Sequence, residues 1–127
     1  EQLPYEEGFF DCVIDRGSLT CNRLEELPPL RDEVRRVLKP GGRLFSLMLN
    51  DTSTLQQGAT PLGLGDFTNL PGRLQHAGAL HFTNAEEARG LFREFTIEDI
   101  ELIQRRSEHA PSGNRLVVAW TAVTCRK

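Results

Sequence analysis

Two short apolar runs with one amphipathic stretch between them constrain this chain most. Phe9-Phe10-Asp11-Cys12-Val13-Ile14-Asp15 lies between Gly8 and Arg16-Gly17-Ser18. Its near-continuous apolar, β-rich character predicts a strand buried on both faces, as in a parallel sheet. Arg43-Leu44-Phe45-Ser46-Leu47-Met48-Leu49 is a second such run. Between them, Leu30, Val34, Val37 and Leu38 fall at i, i+4, i+7 and i+8 and make one helical stripe. Pro28-Pro29 suits a first turn, and Pro40-Gly41-Gly42 is expected to end the helix. Strand, helix and strand in this order are a βαβ crossover with parallel pairing.

The second half reads differently. From Asn50 to His81 no period is visible, and Gly58, Pro61, Gly63, Gly65, Pro71, Gly72 and Gly78 interrupt it. A structureless stretch that long is unusual, so residues 50–81 are expected to be an irregular, substrate-covering segment. Thr83 with Glu86, or Asn84 with Glu87, offers a capping box for a helix carrying Ala88, Leu91, Phe92 and Phe95. Thr96–Gln104, with Ile100 and Leu102 on one face, and Leu116–Val123 read as two strands. The turn signal Pro111-Ser112-Gly113-Asn114 joins them into an antiparallel hairpin. The order β-α-β-long segment-α-β-β makes an α/β domain with a mixed sheet and flanking helices, spanning residues 1–127. A flavodoxin-like or receiver fold is the runner-up, and it would lack the terminal hairpin.

Net charge is −3, so no basic excess points to nucleic acid or an anionic membrane. No apolar run reaches the roughly 20 residues of a membrane span. Cys12, Cys21 and Cys125 match no zinc spacing, so no metal is expected and the thiols are read as reduced, in a cytoplasmic protein. Cys12 is assigned to the core as a small residue, and Cys21 is read as structural or exposed.

Several segments in order resemble the class I S-adenosylmethionine-dependent methyltransferases. Leu3-Pro4-Tyr5 followed by Phe9 to Asp15 resembles the family's "LPF…FDVVI" stretch. Glu33 to Leu44, reading EVRRVLKPGGRL, resembles "E…RVLKPGG.L", and Phe82-Thr83 through Phe95 resembles "FT.EE…LF..F". The resemblance implies a partial Rossmann-like sheet of family strands 4-5-7-6 with the last strand antiparallel. It implies methyl transfer to a small-molecule acceptor in the intact protein. The alternative is a non-catalytic fold fragment or dimerisation domain. Position 1 is Glu1 and the family's glycine-rich cofactor turn is not among these residues. The chain is therefore expected to be the C-terminal portion of the domain, inactive alone and a weak or absent binder of S-adenosylmethionine.

By position in the family, the end of the first strand faces cofactor and substrate, which singles out Asp15, Arg16, Gly17 and Ser18. Asp15 is the catalytic candidate, since a carboxylate accepts a proton from a nucleophile; alternatively it bonds backbone at the strand end. Asn50, Asp51, His81 and Phe82 are substrate-side candidates. Asn50 and Asp51 read at least as well as helix or turn caps, and His81 has a reading as a partly exposed hydrogen-bonding residue. His76 and His109 are placed on the surface. Gly63-Leu64-Gly65 and Pro40-Gly41-Gly42 look like nucleotide loops but lack the strand-to-helix context. With its family neighbour strand absent, strand 9–15 is an open edge, and a homodimer through it is expected.

Overall fold

The computed structural model describes residues 2–107 and 116–127. The Pro111–Asn114 turn, His109 and Glu1 lie outside the described residues. One four-stranded sheet has the order β1-β2-β7-β6, built from β1 Phe10–Arg16, β2 Leu38–Leu49, β6 Thr96–Arg106 and β7 Val117–Arg126. β1 and β2 are parallel, with Val13 opposite Leu44 and Asp15 opposite Ser46. β7 runs antiparallel to both β2 and β6. Helix α1, Leu27–Val37, makes the crossover, with its prolines in the first turn. This is the α/β arrangement expected from the sequence, and the antiparallel hairpin excludes the flavodoxin-like runner-up.

The helix ends earlier than Pro40. Leu38 is already extended, at φ −77° and ψ 138°. Pro40 pushes Lys39, the residue before it, away from helical geometry, and Leu38 and Lys39 both belong to the strand. At Gly42 the backbone passes so close that a Cβ would lie 2.9 Å from the Lys39 carbonyl oxygen and 3.1 Å from that of Asp11. A side chain there would push β1 and β2 apart.

Alternation along β2 builds the core. Leu44 and Met48 turn to the face that α1 and α2 (Ala85–Leu91) cover, and are fully buried there. Val123 and Cys125 of β7 join them, with Leu91, Phe92 and Phe95 above. A fully buried Leu or Phe contributes roughly 1.5–3 kcal/mol, so this cluster dominates folding. On the opposite face Ile14 is 76% exposed and Phe45 41%. β1 is therefore not buried on both faces as its composition suggests, because it is an edge strand with one covered side. Cys12 falls on the uncovered side and is exposed, not a core residue. On β6, an irregularity between Ile97 and Asp99 shifts the pattern. Ile97 and Ile100 pack on the core, whereas Leu102 is 56% exposed.

Residues 50–81 are not uniformly irregular. They hold a second, three-stranded antiparallel sheet of β3 Thr60–Gly63, β4 Asp66–Thr68 and β5 Leu80–His81. Strands of two to four residues are too short to show a period. Gly63-Leu64-Gly65 is the turn from β3 to β4, with Leu64 at φ 53°. Leu70, Leu80 and Phe82 form a small core of their own, onto which Leu49 and Phe67 pack. No helix among the described residues is long and apolar enough to cross a membrane.

Candidate functional site

The parallel strands β1 and β2 end where the chain turns through Arg16–Cys21. Ligands of open α/β sheets bind beyond such carboxyl ends. Asp15 shapes this turn. Its Oδ1 accepts the backbone N–H of Ser18 at 2.8 Å and of Leu19 at 3.3 Å, and its Oδ2 accepts the Ser46 hydroxyl at 2.6 Å. Three of about four acceptor positions on this carboxylate are thus filled by its own chain. Asn22 donates to the Ser18 and Leu19 carbonyls, and Thr20 Oγ1 accepts the Leu49 N–H at 2.8 Å. The turn is stitched to both strands.

Two hollows flank it. The larger, about 500 Å³, lies between β1, α1 and the N-terminal segment, with Val13, Ile14, Leu30 and Val34 as apolar wall and Asp15 and Ser18 at its edge. Glu33 anchors the segment beside it. Its Oε1 accepts the Leu3 N–H at 2.7 Å, and Arg36 donates to Glu33, to the Leu3 carbonyl and to the Tyr5 carbonyl. The hydrogen bonds from Arg36, foremost, hold the Glu33 carboxyl down at about 2. The smaller hollow, about 230 Å³, opens on the other side of the turn. Leu47, Leu49 and Trp120 floor it, and Leu74, Ala77 and Leu80 of the 50–81 segment roof it. Exposed Arg16 and Cys21, half-buried Gly17 and buried Thr20 complete its lining. The four residues Asp15 to Ser18, at the end of β1 and just past it, are therefore divided, with Asp15 and Ser18 on one hollow and Arg16 and Gly17 on the other.

Asn50, Asp51, His81 and Phe82 line neither hollow. Buried Asn50 donates to Thr121 Oγ1 at 2.8 Å and to the Thr83 carbonyl, and its Oδ1 accepts the Thr52 N–H, closing an Asx turn after β2. Exposed Asp51 accepts from Asn84 Nδ2 at 3.3 Å. Asn84, not Thr83, caps α2 by accepting the Glu87 N–H. Phe82 is 2% exposed and meets Phe67 edge-on at 5.5 Å.

His81 is not partly exposed; none of it is accessible. Its Nδ1 stands 2.7 Å from Asp66 Oδ1 and its Nε2 2.9 Å from Glu87 Oε2. Each ring nitrogen thus has a carboxylate partner, one from β4 and one from α2. Asp66 Oδ1 also accepts the Leu24 N–H at 3.1 Å. The histidine thus ties β4, β5 and α2 together and, through Asp66, reaches the turn before α1. A Cβ at Gly65 would lie 3.3 Å from the His81 ring and 3.1 Å from the Phe82 carbonyl, so the clasp needs glycine there. Glu87 spends its side chain on this clasp rather than on a reciprocal capping box. Leu80, next to His81, is part of the roof over the smaller hollow.

Sequence reasoning missed the walls of that hollow. Leu47 and Leu49 had a signal, because β2 is apolar at both parities. Leu74, Ala77 and Leu80 had none, since their position depends on how the 50–81 segment folds back.

A family model described as a methyltransferase domain matches residues 1–46. No curated protein matches the chain. Among solved structures, a S-adenosylmethionine-dependent methyltransferase from Methanosarcina mazei is 19% identical, with a TM-score of 0.74 over 99% of this chain and 63% of that one. The 1,6-didemethyltoxoflavin-N1-methyltransferase of Burkholderia thailandensis is 18% identical, with a TM-score of 0.61 over 95% of this chain and 45% of that one. A S-adenosylmethionine-dependent methyltransferase from Mesorhizobium loti is 16% identical, with a TM-score of 0.63 over 99% and 65%. The chain spans less than two thirds of the length of each of these structures. Its fold is that of the class I methyltransferases, over the part that carries strands 4-5-7-6.

Proposed function

We propose that this chain forms the acceptor-side portion of an enzyme that transfers a methyl group from S-adenosylmethionine to a small molecule. The observation that carries the reading is the stitched Arg16–Cys21 turn, set at the carboxyl ends of two parallel strands with a hollow on either side. Methyl transfer depends on aligning the acceptor with the methyl group, and a turn fixed by this many hydrogen bonds suits that task. The cofactor supplies an electrophilic methyl group.

The fit of the cofactor is partial. The apolar wall of the larger hollow suits the face of a flat base. The carboxylate at the strand end is not free to hold ribose hydroxyls, because Ser18, Leu19 and Ser46 occupy it. No glycine-rich turn joins a strand to a helix among the described residues. These residues make one wall of a nucleoside site, and we infer weak or no cofactor binding by the 127 residues alone. Asp15 then acts as a positioning residue for the turn. Calorimetry of the chain with S-adenosylmethionine tests this, and micromolar affinity would refute it. A methyl-transfer assay on the longest natural polypeptide containing this sequence tests the activity.

The second reading is an association module, and the exposed edge favours it. β1 pairs only with β2 among the described residues, and Phe9 and Ile14 are 55% and 76% exposed. An apolar open edge invites a second strand, so a homodimer through residues 9–15 is part of the proposal. Light scattering of a clean monomer at high concentration would remove it.

A further inference from the structure

We propose that the acceptor is a small carboxylic acid with an apolar, ring-bearing body, held in the hollow floored by Trp120 with its carboxylate on Arg16. The word acceptor rests on the methyltransferase reading above; the binding site rests on geometry alone.

Among the described residues six of the lining side chains are apolar, and none of the ten that line it is acidic. The single tryptophan of the chain lies in the floor, facing Leu49 across the β2–β7 pair. A flat indole beside leucines favours a flat apolar body, for which both area burial and ring stacking count. At about 230 Å³ the hollow falls below the roughly 300–1,000 Å³ of drug-sized sites, so the guest is small.

Arg16 supplies the polar end. Arg31, Arg36, Arg43, Arg93 and Arg126 each stand within ion-pair distance of a carboxylate. Arg16, like Arg23, Arg35, Arg73, Arg89, Arg105 and Arg106, is in no ion pair among the described residues, and of these it alone lines the hollow. A guanidinium keeps its charge at all working pH values and matches a carboxylate with a two-pronged fork. The other polar groups of the lining, the Thr20 hydroxyl and the Cys21 thiol, carry no charge that would favour a cation. A hollow of this make selects an anion with an apolar body over a neutral or cationic analogue.

The same carboxylate chemistry could come from the amino-acid end of the cofactor, and the test separates the two. Trp120, as the sole tryptophan, reports binding by its own emission. The chain is titrated with 3-phenylpropionate, 3-phenylpropanol, 3-phenylpropylamine and free methionine. The acid is expected to bind at least about tenfold more tightly than the alcohol, a difference of about 1.4 kcal/mol, and the amine and methionine not to compete. Arg16→Gln should bring acid and alcohol level while leaving alcohol binding intact. Phenylpropionate should also slow alkylation of Cys21 and leave Cys12, exposed away from the hollow, unchanged. Equal binding of acid, alcohol and amine would overturn the proposal. So would methionine binding in place of the acid, which would assign Arg16 to the cofactor. The two readings fail separately. Acid binding that survives Arg16→Gln sinks this site, whereas absence of methyl transfer in the longer polypeptide with acid selectivity intact sinks only the enzymatic reading.

Discussion

Between Gly42 and Leu49 every second side chain of β2 is buried under two helices, and the buried ones are Leu44, Ser46 and Met48. Between Asn50 and His81 the buried positions include Asn50, Ser53, Asp66 and His81 beside Leu70 and Leu80. The four-stranded sheet is held by periodic apolar contact, which tolerates imprecise partners. The 50–81 segment adds to its small apolar core a set of individual polar bonds, each with one partner that fits. Loss of a sheet contact should therefore weaken the whole molecule, and loss of a clasp should loosen one part.

Phe92→Ala removes a fully buried ring from the sheet-side core and should cost about 3–5 kcal/mol. Urea unfolding would show one earlier, still cooperative transition; a loss confined to α2 would break the contrast. His81→Phe removes the partner that Asp66 and Glu87 share, leaving Asp66 only the Leu24 N–H, at about 1–3 kcal/mol in all. Hydrogen exchange should rise across residues 66–81 and stay slow in β2 and β7. Uniform acceleration would show that the two regions do not open separately.

Asp15→Asn keeps an acceptor for the Ser18 and Leu19 amides and mainly disturbs the Ser46 bond, at about 1 kcal/mol. In the methyl transfer proposed above, a general base replaced by an amide would lose roughly 10²–10⁴ in rate. A change well below that, with an unmoved pH profile, is expected of a positioning residue.

Smaller effects come from single titrating groups. Glu33 has its carboxyl lowered from 4.5 to about 2, chiefly by hydrogen bonds from Arg36. A lowered carboxyl contributes stability that is fully present above 4.5 and is lost as pH falls toward 2. Glu33→Gln should flatten that acid decline, and an unchanged acid limb would place the pair outside the folding equilibrium. Burial pushes the Cys125 thiol up to about 12, so it should resist alkylation until the chain unfolds. Exposed Cys12 and Cys21 should react in the folded state.

The βαβ unit and the hairpin were readable because apolar residues at period 3.6 and in dense β-rich runs each allow one buried arrangement. That Asp15, Arg16, Gly17 and Ser18 lie at the open carboxyl end of a parallel strand was readable for the related reason that a βαβ crossover fixes which end of the strand is left free. That Cys12 and Ile14 face away from the helices was not readable, because a run apolar on both sides does not say which side will be covered.

The chain order of apolar and turn residues determined by itself that a parallel pair and a terminal antiparallel pair would share one sheet, since local periodicity and connection length set those pairings. Only the tertiary structure decided what closes over the strand ends. His81 meets Asp66 on a neighbouring strand, and Leu80 roofs a hollow floored by Trp120, through contacts between residues well separated in the chain. Hydrogen bonds of that kind depend on distance and angle in space, and no spacing along the sequence encodes them.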